Sequence, residues 1–339
     1  LQDFSVLALD EPTSSLTNNE IEKLMLTIDQ LRNEGKSIIY ISHRMEEIFR
    51  IADRATVLRD GHWMGVVNIN DVSQQDLIRM MVGRDIKDQH FNEVYVGTDE
   101  VVLEAKNLTG KGFRNINFTL RKGEVLGFSG LIGAGRTELA RAIFGIDPAI
   151  SGEIILFGKS KRILSPGIAK RSGIMLIPED RKHQGMIGPL SNKTNIALSK
   201  LSKYESFGLI KHASILSDAK EWINRFHVSP ADPEMLTKSL SGGNQQKIVF
   251  IRNLNVNPKI LILDEPTRGI DINIKFEIYK LIRQLASEGK SIIMISSELP
   301  EIISISDRVI VMYEGEIKGE LRKSEISEES IMTYAMGGL

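Results

Sequence analysis

Short continuous apolar runs alternate with amphipathic stretches along most of this chain, and one such alternation occurs twice. The runs Val6 to Leu9 and Ile260 to Leu263 have no polar interruption, which predicts strands buried on both faces. Each is followed by an Asp-Glu pair, a turn and a helix-period segment. In the first copy Ile21, Leu24, Met25, Ile28 and Leu31 recur at the i, i+3, i+4, i+7 spacing. They form the expected core face of a helix ended by Gly35, and Gly289 ends its counterpart. A second apolar strand follows in both copies. Strand, helix, strand with unbroken apolar strands predicts a parallel sheet covered on both faces.

The two copies form one duplication. A shift of 254 positions brings Asp10 onto Asp264 and holds register without a gap as far as Gly61 on Gly315. Within it Gly35-Lys36-Ser37-Ile38-Ile39 recurs as Gly289-Lys290-Ser291-Ile292-Ile293, and Asp53-Arg54 recurs as Asp307-Arg308. Chance similarity would drift out of register. About 160 residues, Val101 to Lys259, precede the second copy and have no counterpart before the first. The expectation is therefore that the chain begins inside a domain. Residues 1–83 are expected to be the C-terminal part of a first domain, closed by a short helix in Asp71 to Gly83. The polar stretch 84–100 is the expected linker, and 101–339 a second domain.

Composition narrows the function classes. With 43 basic and 44 acidic side chains in 339 residues, no excess positive charge favours nucleic acid or an anionic membrane surface. The absence of Cys excludes a disulfide scaffold and any thiolate metal or redox site. Apolar runs are far shorter than the roughly 18 residues of a membrane-spanning helix, so work at a membrane requires another subunit to span it. The opening Leu1 to Asp10 carries two Asp and no basic residue, which does not suit a signal peptide.

Candidate chemistry begins at Gly130-Leu131-Ile132-Gly133-Ala134-Gly135-Arg136-Thr137, between the apolar strand Val125 to Phe128 and a helical pattern from Glu138 to Phe144. This is the layout of a phosphate-binding loop. Glycines let backbone N–H groups turn toward phosphate oxygens, the helix N-terminus adds its positive end, and Thr137 offers a hydroxyl to Mg²⁺. Arg136 stands where the pattern carries Lys; a planar guanidinium binds phosphate without a compact point charge, which favours binding over fast turnover. Asp264 is placed to order Mg²⁺ through its water shell, and Glu265 to polarise an attacking water. Asp10 and Glu11 repeat that pair. A lone Gly-rich turn or a lone Asp-Glu can be merely structural. Two Asp-Glu pairs, each followed by Pro-Thr, make that a poor account.

Upstream of the second pair, Leu240-Ser241-Gly242-Gly243-Asn244-Gln245-Gln246-Lys247 resembles the signature motif of the ABC ATPase family. Gly133 to Glu138, Glu179-Asp180-Arg181-Lys182, Ser241 to Lys247 and Asp264 to Asp271 look like the second domain of tandem ATP-binding subunits from ribose, galactose or xylose importers. The resemblance covers essentially the whole chain. It implies an α/β, P-loop NTPase-type nucleotide-binding domain with a parallel-sheet core, an antiparallel β subdomain and a helical subdomain at about 179–256, in one nearly complete copy plus the C-terminal part of another. In that family Ser241, Gly242 and Gly243 would cap the γ-phosphate of a nucleotide held on the opposite domain. Asn244, before Gln245, replaces the general family's Gln, as in the sugar-importer branch. Glu179 stands at the position of the Q-loop Gln, where a carboxylate can meet Mg²⁺ or water. His43 corresponds to the switch histidine, and its repeat position is Ser297. Phe113 is either an adenine-stacking aromatic or an ordinary core residue, and Lys159 to Arg162 reads as a solvated face.

The resemblance further implies ATP and Mg²⁺ as ligands and ATP sites shared between two nucleotide-binding domains. One site would join Glu11 and His43 to Ser241, Gly242 and Gly243; the other would use Gly130 to Thr137, Asp264 and Glu265, with Ser297 in place of His. The first is expected to hydrolyse ATP and the second to hold it. Implied partners are transmembrane permease subunits, gripped through Arg181 to Leu198, and indirectly a periplasmic or extracellular solute-binding protein, with no nucleic acid. The implied location is peripheral, on the cytoplasmic face of the plasma membrane. Two rival classes are a soluble twin-ABC translation-factor ATPase and a non-catalytic nucleotide-binding regulatory subunit.

Overall fold

The computed structural model describes residues 4–10, 12–13, 18–42, 45–59, 62–74, 76–77, 80 and 98–337. The chain divides into two compact units, residues 1–90 with 271–273, and 91–270 with 274–339.

In the first unit β1 (Val6–Asp10) and β2 (Ser37–Ile41) pair in parallel, with Val6 opposite Ser37, on either side of the helix Asn18–Asn33. The helix Met45–Ile51 follows, then the antiparallel pair β3 (Arg54–Arg59) and β4 (His62–Asn68). Met25 and Ile28 are buried against Leu9, Ile38 and Tyr40, as the helical period requires, while Ile21, Leu24 and Leu31 are only half-buried. Among the described residues this sheet is covered on one face. Both strands alternate between exposed and half-buried residues, with Val6, Ile39 and Ile41 more than half exposed. An apolar run specifies two greasy faces, and among the described residues the helices cover only the one carrying Leu9, Ile38 and Tyr40.

The second unit contains β5 (Val101–Gly110), β6 (Phe113–Arg121), β7 (Val125–Gly130), β8 (Ser151–Leu156), β9 (Lys159–Lys161) and β10 (Ile174–Ile177). After a hairpin, β11 (Glu205–Ser206) and β12 (Leu209–Ile210), come β13 (Ile260–Asp264), β14 (Ser291–Ile295), β15 (Arg308–Tyr313) and β16 (Glu316–Arg322). Six strands form the main sheet in the order β10-β13-β14-β7-β15-β16, parallel except for β16. A separate antiparallel sheet has the order β6-β5-β8-β9. Here the both-faces expectation holds: every residue of β13 and β14 is buried, between one core around Ile248, Phe250 and Leu263 and another around Phe128, Leu139 and Ile262. Every element from β1 to β4 reappears 254 residues on, with the same bounds, as β13, the helix Ile272–Ser287, β14, the helix Leu299–Ile305, β15 and β16.

Between β10 and β13 lie the helices Asn192–Leu198, His212–Arg225 and Gly242–Leu254. Ser191 caps the first by accepting from the Thr194 amide, and Ile215, Ala219 and Ile223 give the second a buried stripe at helical spacing. Phe113 takes the core alternative. It is 3% exposed, and its ring fills the space where a Cβ on Gly110 would stand 2.5 Å from Phe113 Cζ, so no face is free to stack on a base. Lys159–Lys161 is exposed, as read from the sequence. No described helix is long and apolar enough to cross a membrane.

Candidate active site

The phosphate-loop candidate begins where β7, buried throughout Val125 to Ser129, ends on Gly130 with φ 147°. A Cβ there would stand 2.3 Å from the Met312 carbonyl oxygen, and one on Gly135, with φ 94°, would stand 2.4 Å from that of Gly112. Only glycine fits such close backbone approach at positive φ. Gly133 also has positive φ, and Ala134 is tucked inward at 5% exposure. The helix Arg136–Phe144 starts directly on Gly135, and its first-turn N–H groups have no intrahelical acceptor.

Arg136, at the start of this helix, is buried. Its Nη1 donates to the Ser296 carbonyl at 2.7 Å. Burial draws its pKa down, and the carboxylates of Glu265 and Asp264 oppose that. The cation thus spans from the Gly-rich loop to the turn after β14. The sequence gives Arg136's charge but not this destination.

Thr137 Oγ1 donates to Asp264 Oδ1 at 3.2 Å, joining the loop to the end of β13. Burial pushes the Asp264 carboxyl up to about 6, against the pull of Thr137 and Arg136. Glu265 follows with φ 47°, its amide donating to the Ile295 carbonyl at 2.9 Å. Ser297 Oγ donates to Glu265 Oε2 at 3.3 Å. Burial pushes the Glu265 carboxyl up to about 7, with Arg136 the largest opposing influence. Two carboxyls held above their ordinary range, Asp264 buried and Glu265 half-buried, beside a hydroxyl, favour an arriving cation. Thr137 and Asp264 would supply two oxygen donors, a small protein share that suits Mg²⁺ carried on nucleotide phosphates.

Glu179 goes elsewhere. Its carboxylate meets the Arg268 guanidinium on the turn after β13, and no recorded contact joins it to Thr137 or Asp264 among the described residues. Arg181 donates to the carbonyls of Arg268 at 2.7 Å and Gly269 at 3.1 Å. The same guanidinium lies against the signature segment: a Cβ on Gly242 would be 2.7 Å from Arg181 Nη2. Gly243 is equally constrained, its Cβ position lying 2.4 Å from Ile274 Cδ1.

Ser241 is the exposed N-cap residue of the helix Gly242–Leu254. Asn244 Nδ2 donates to Ser241 Oγ at 3.0 Å while its Oδ1 accepts from the Ser229 amide at 2.9 Å. Gln245 is buried and donates to the Leu240 carbonyl at 2.9 Å. These two amides hold the turn, leaving Ser241 as the outward-facing group. In the first unit Asp10 ends β1 opposite Ile41. Glu11 and His43 lie outside the described residues.

Residue type and spacing assigned no role to Ser296, Arg268 or Glu301, and placed Arg181 only at the start of the permease-gripping segment. Apart from the Ser296–Glu301 pair, five residues apart, the partners lie far along the chain, where residue type and spacing do not reveal them. Ser296 and Glu301 did carry one signal, since Ser42 and Glu47 stand at their repeat positions.

The sequence profile of the ABC transporter family matches residues 113–268. A ribose import ATP-binding protein from Caldanaerobacter subterraneus is 48% identical across 100% of this chain and 68% of its own length. One of the same description from Bacillus subtilis is 46% identical across 98% of this chain and 68% of its own length. Among solved structures, an ATP-binding cassette of an ABC transporter in its ADP conformation aligns with TM-score 0.61 at 20% identity, covering 70% of this chain and 99% of that one. An ABC transporter component from Clostridium perfringens aligns with TM-score 0.59 at 24% identity, covering 70% of this chain and 94% of that one. These structural matches show the cassette fold, and the sequence relatives show the lineage. The chain belongs to the ATP-binding subunits of ABC transporters.

Proposed function

We propose that this protein binds and hydrolyses ATP to energise import of a sugar, with ribose the foremost candidate because the sequence relatives are described as ribose import proteins. The observation that carries the nucleotide site is the convergence of Thr137, Asp264, Glu265 and Arg136 at the ends of β7, β13 and β14. Gly130 to Gly135 and the start of the following helix would cradle phosphate oxygens. Thr137 and Asp264 would hold Mg²⁺, directly or through water. Bound with the nucleotide, Mg²⁺ supplies positive charge against the phosphate oxygens. Glu265 would orient the attacking water and accept its proton, with Ser297 steering the carboxylate. Ser241, Gly242 and Gly243 would be offered to a nucleotide held on a facing cassette.

The second-unit site is a holding site in this reading. Arg136 is committed to the Ser296 carbonyl, and a serine hydroxyl stands where an imidazole would meet the transferring phosphate. Glu11 and His43, the repeat equivalents of Glu265 and Ser297, would serve the faster site. Arg181 and Glu179 would carry movement from the helical segment to the Arg268–Gly269 turn as a rigid unit. Membrane permease subunits are the partners this requires, with the protein peripheral on the cytoplasmic face. Removing the protein from its host should abolish concentrative ribose uptake; unchanged uptake would overturn the ribose assignment.

A further inference from the structure

Behind Glu265 and Ser297 lies a buried carboxylate to which the proposed chemistry assigns no part. Glu301, on the helix Leu299–Ile305, is 2% exposed. Its Oε1 accepts from Thr267 Oγ1 and, at 2.7 Å, from the Tyr279 hydroxyl. Its Oε2 accepts from Ser296 Oγ at 2.7 Å. Lys275 Nζ stands 3.5 Å from Oε1. Thr267 lies two residues after Glu265, and Ser296 is the residue before Ser297 and the one whose carbonyl holds Arg136. One carboxylate therefore ties together the two turns that carry Glu265 and Ser297, and through Ser296 it reaches the phosphate-loop cation.

The first unit builds the same contact with different parts. Glu47, at the repeat position of Glu301, accepts from the Tyr40 hydroxyl at 2.9 Å and from Ser42 Oγ at 3.0 Å. Ser42 is the repeat equivalent of Ser296, but Tyr40 is the equivalent of Met294, and Tyr279 is the equivalent of Met25. Tyr and Met have changed places. The second copy brings its hydroxyl from the helix Ile272–Ser287, and the first brings its own from β2. Packing alone needs no hydroxyl at either position, since methionine fills both. What the two copies share is a phenol hydroxyl on this buried carboxylate, whichever element supplies it. A buried carboxylate that loses a donor carries an uncompensated desolvation cost, so the turns it clamps would shift.

We infer that Glu301, completed by Tyr279, is a positioning residue that sets the Glu265-bearing turn, held through Thr267, against the switch turn, held through Ser296. The inference rests on the proposed role of Glu265 and Ser297. Its test is made on the whole chain by titration with fluorescent mant-ATP and Mg²⁺, alongside amide hydrogen exchange of residues 265–268 and 296–298. Tyr279→Met should weaken mant-ATP binding roughly fivefold, the consequence of one unmade buried hydrogen bond, and should speed exchange in both turns. Adding Met294→Tyr, which transplants the first unit's arrangement, should return both readouts to within about twofold of the parent, a rescue that a purely structural loss would not show. Tyr279→Phe, which keeps the ring, should act as Tyr279→Met does and decides the matter if the double variant does not fold. Unchanged exchange in Tyr279→Phe, or a folded double variant as impaired as the single, would overturn the inference. Failure of the parent chain to bind mant-ATP would refute the nucleotide-site proposal instead, and the exchange data would still decide this one.

Discussion

The Arg136 guanidinium donates to the Ser296 carbonyl at 2.7 Å, so the cation of the phosphate loop is anchored to the turn that also carries Ser297. A lysine has one compact ammonium on a flexible stem and lacks the fork that reaches sideways to a carbonyl. Arg136→Lys is expected to release the cation toward bound phosphate and raise phosphate release by roughly three- to tenfold. Steady-state phosphate detection on the purified chain checks this.

The carboxyls beside Arg136 predict a pH dependence of stability. Burial raises Glu265 from 4.5 to about 7 and Asp264 from 3.8 to about 6. With folded pKa values above the unfolded ones, the folded state retains protons that the unfolded chain has lost. Their effect is absent below the unfolded pKa values and destabilises progressively as pH rises toward 7. Glu265→Gln should therefore be more stable than the parent at pH 8, by about 1–3 kcal/mol without nucleotide, and the difference should vanish near pH 4. Urea unfolding at both pH values, with a chelator present, measures it.

Thr137 and Asp264 should both matter to Mg²⁺, and Glu179 should not. Asp264→Asn is expected to weaken Mg²⁺-dependent ATP binding about tenfold or more, and Thr137→Ala by a similar factor. Glu179 is engaged with Arg268, so Glu179→Gln should leave the Mg²⁺ dependence of binding unchanged. Isothermal titration across a Mg²⁺ series separates the three.

Arg181 joins the start of the helical segment to the turn after Glu265 through two carbonyls. Arg181→Ala should cost about 1–3 kcal/mol of stability by leaving those acceptors without their charged donor. Its effect on nucleotide binding should be smaller than that of Asp264→Asn. Thermal unfolding and the same titrations make the comparison.

The duplication was legible in the sequence and carried the secondary structure with it, since each element of the first copy reappears 254 residues on. Gly130 and Gly135 were legible because close backbone approach admits no other residue, and Asp264 because an acid ending an apolar strand has few other uses. Coverage of β1 and β2 was not legible. Val6 and Ile39 are as apolar as their buried counterparts Ile260 and Ile293, and only tertiary neighbours decide which face is closed. The targets of Arg136, Glu179 and Arg181 were illegible for a related reason. A long charged side chain reaches several ångströms from its own backbone, and spacing along the chain does not record its partner.

The site of Arg136, Thr137, Asp264 and Glu265 is proposed to bind MgATP and turn it over slowly. Its most direct test measures ATP bound and phosphate released by one preparation of the chain, with Mg²⁺, before and after Thr137→Ala. Saturable binding that Thr137→Ala weakens at least about tenfold, with almost no phosphate released, is the expected result. Absence of binding, or rapid phosphate release abolished by Glu265→Gln, would contradict it.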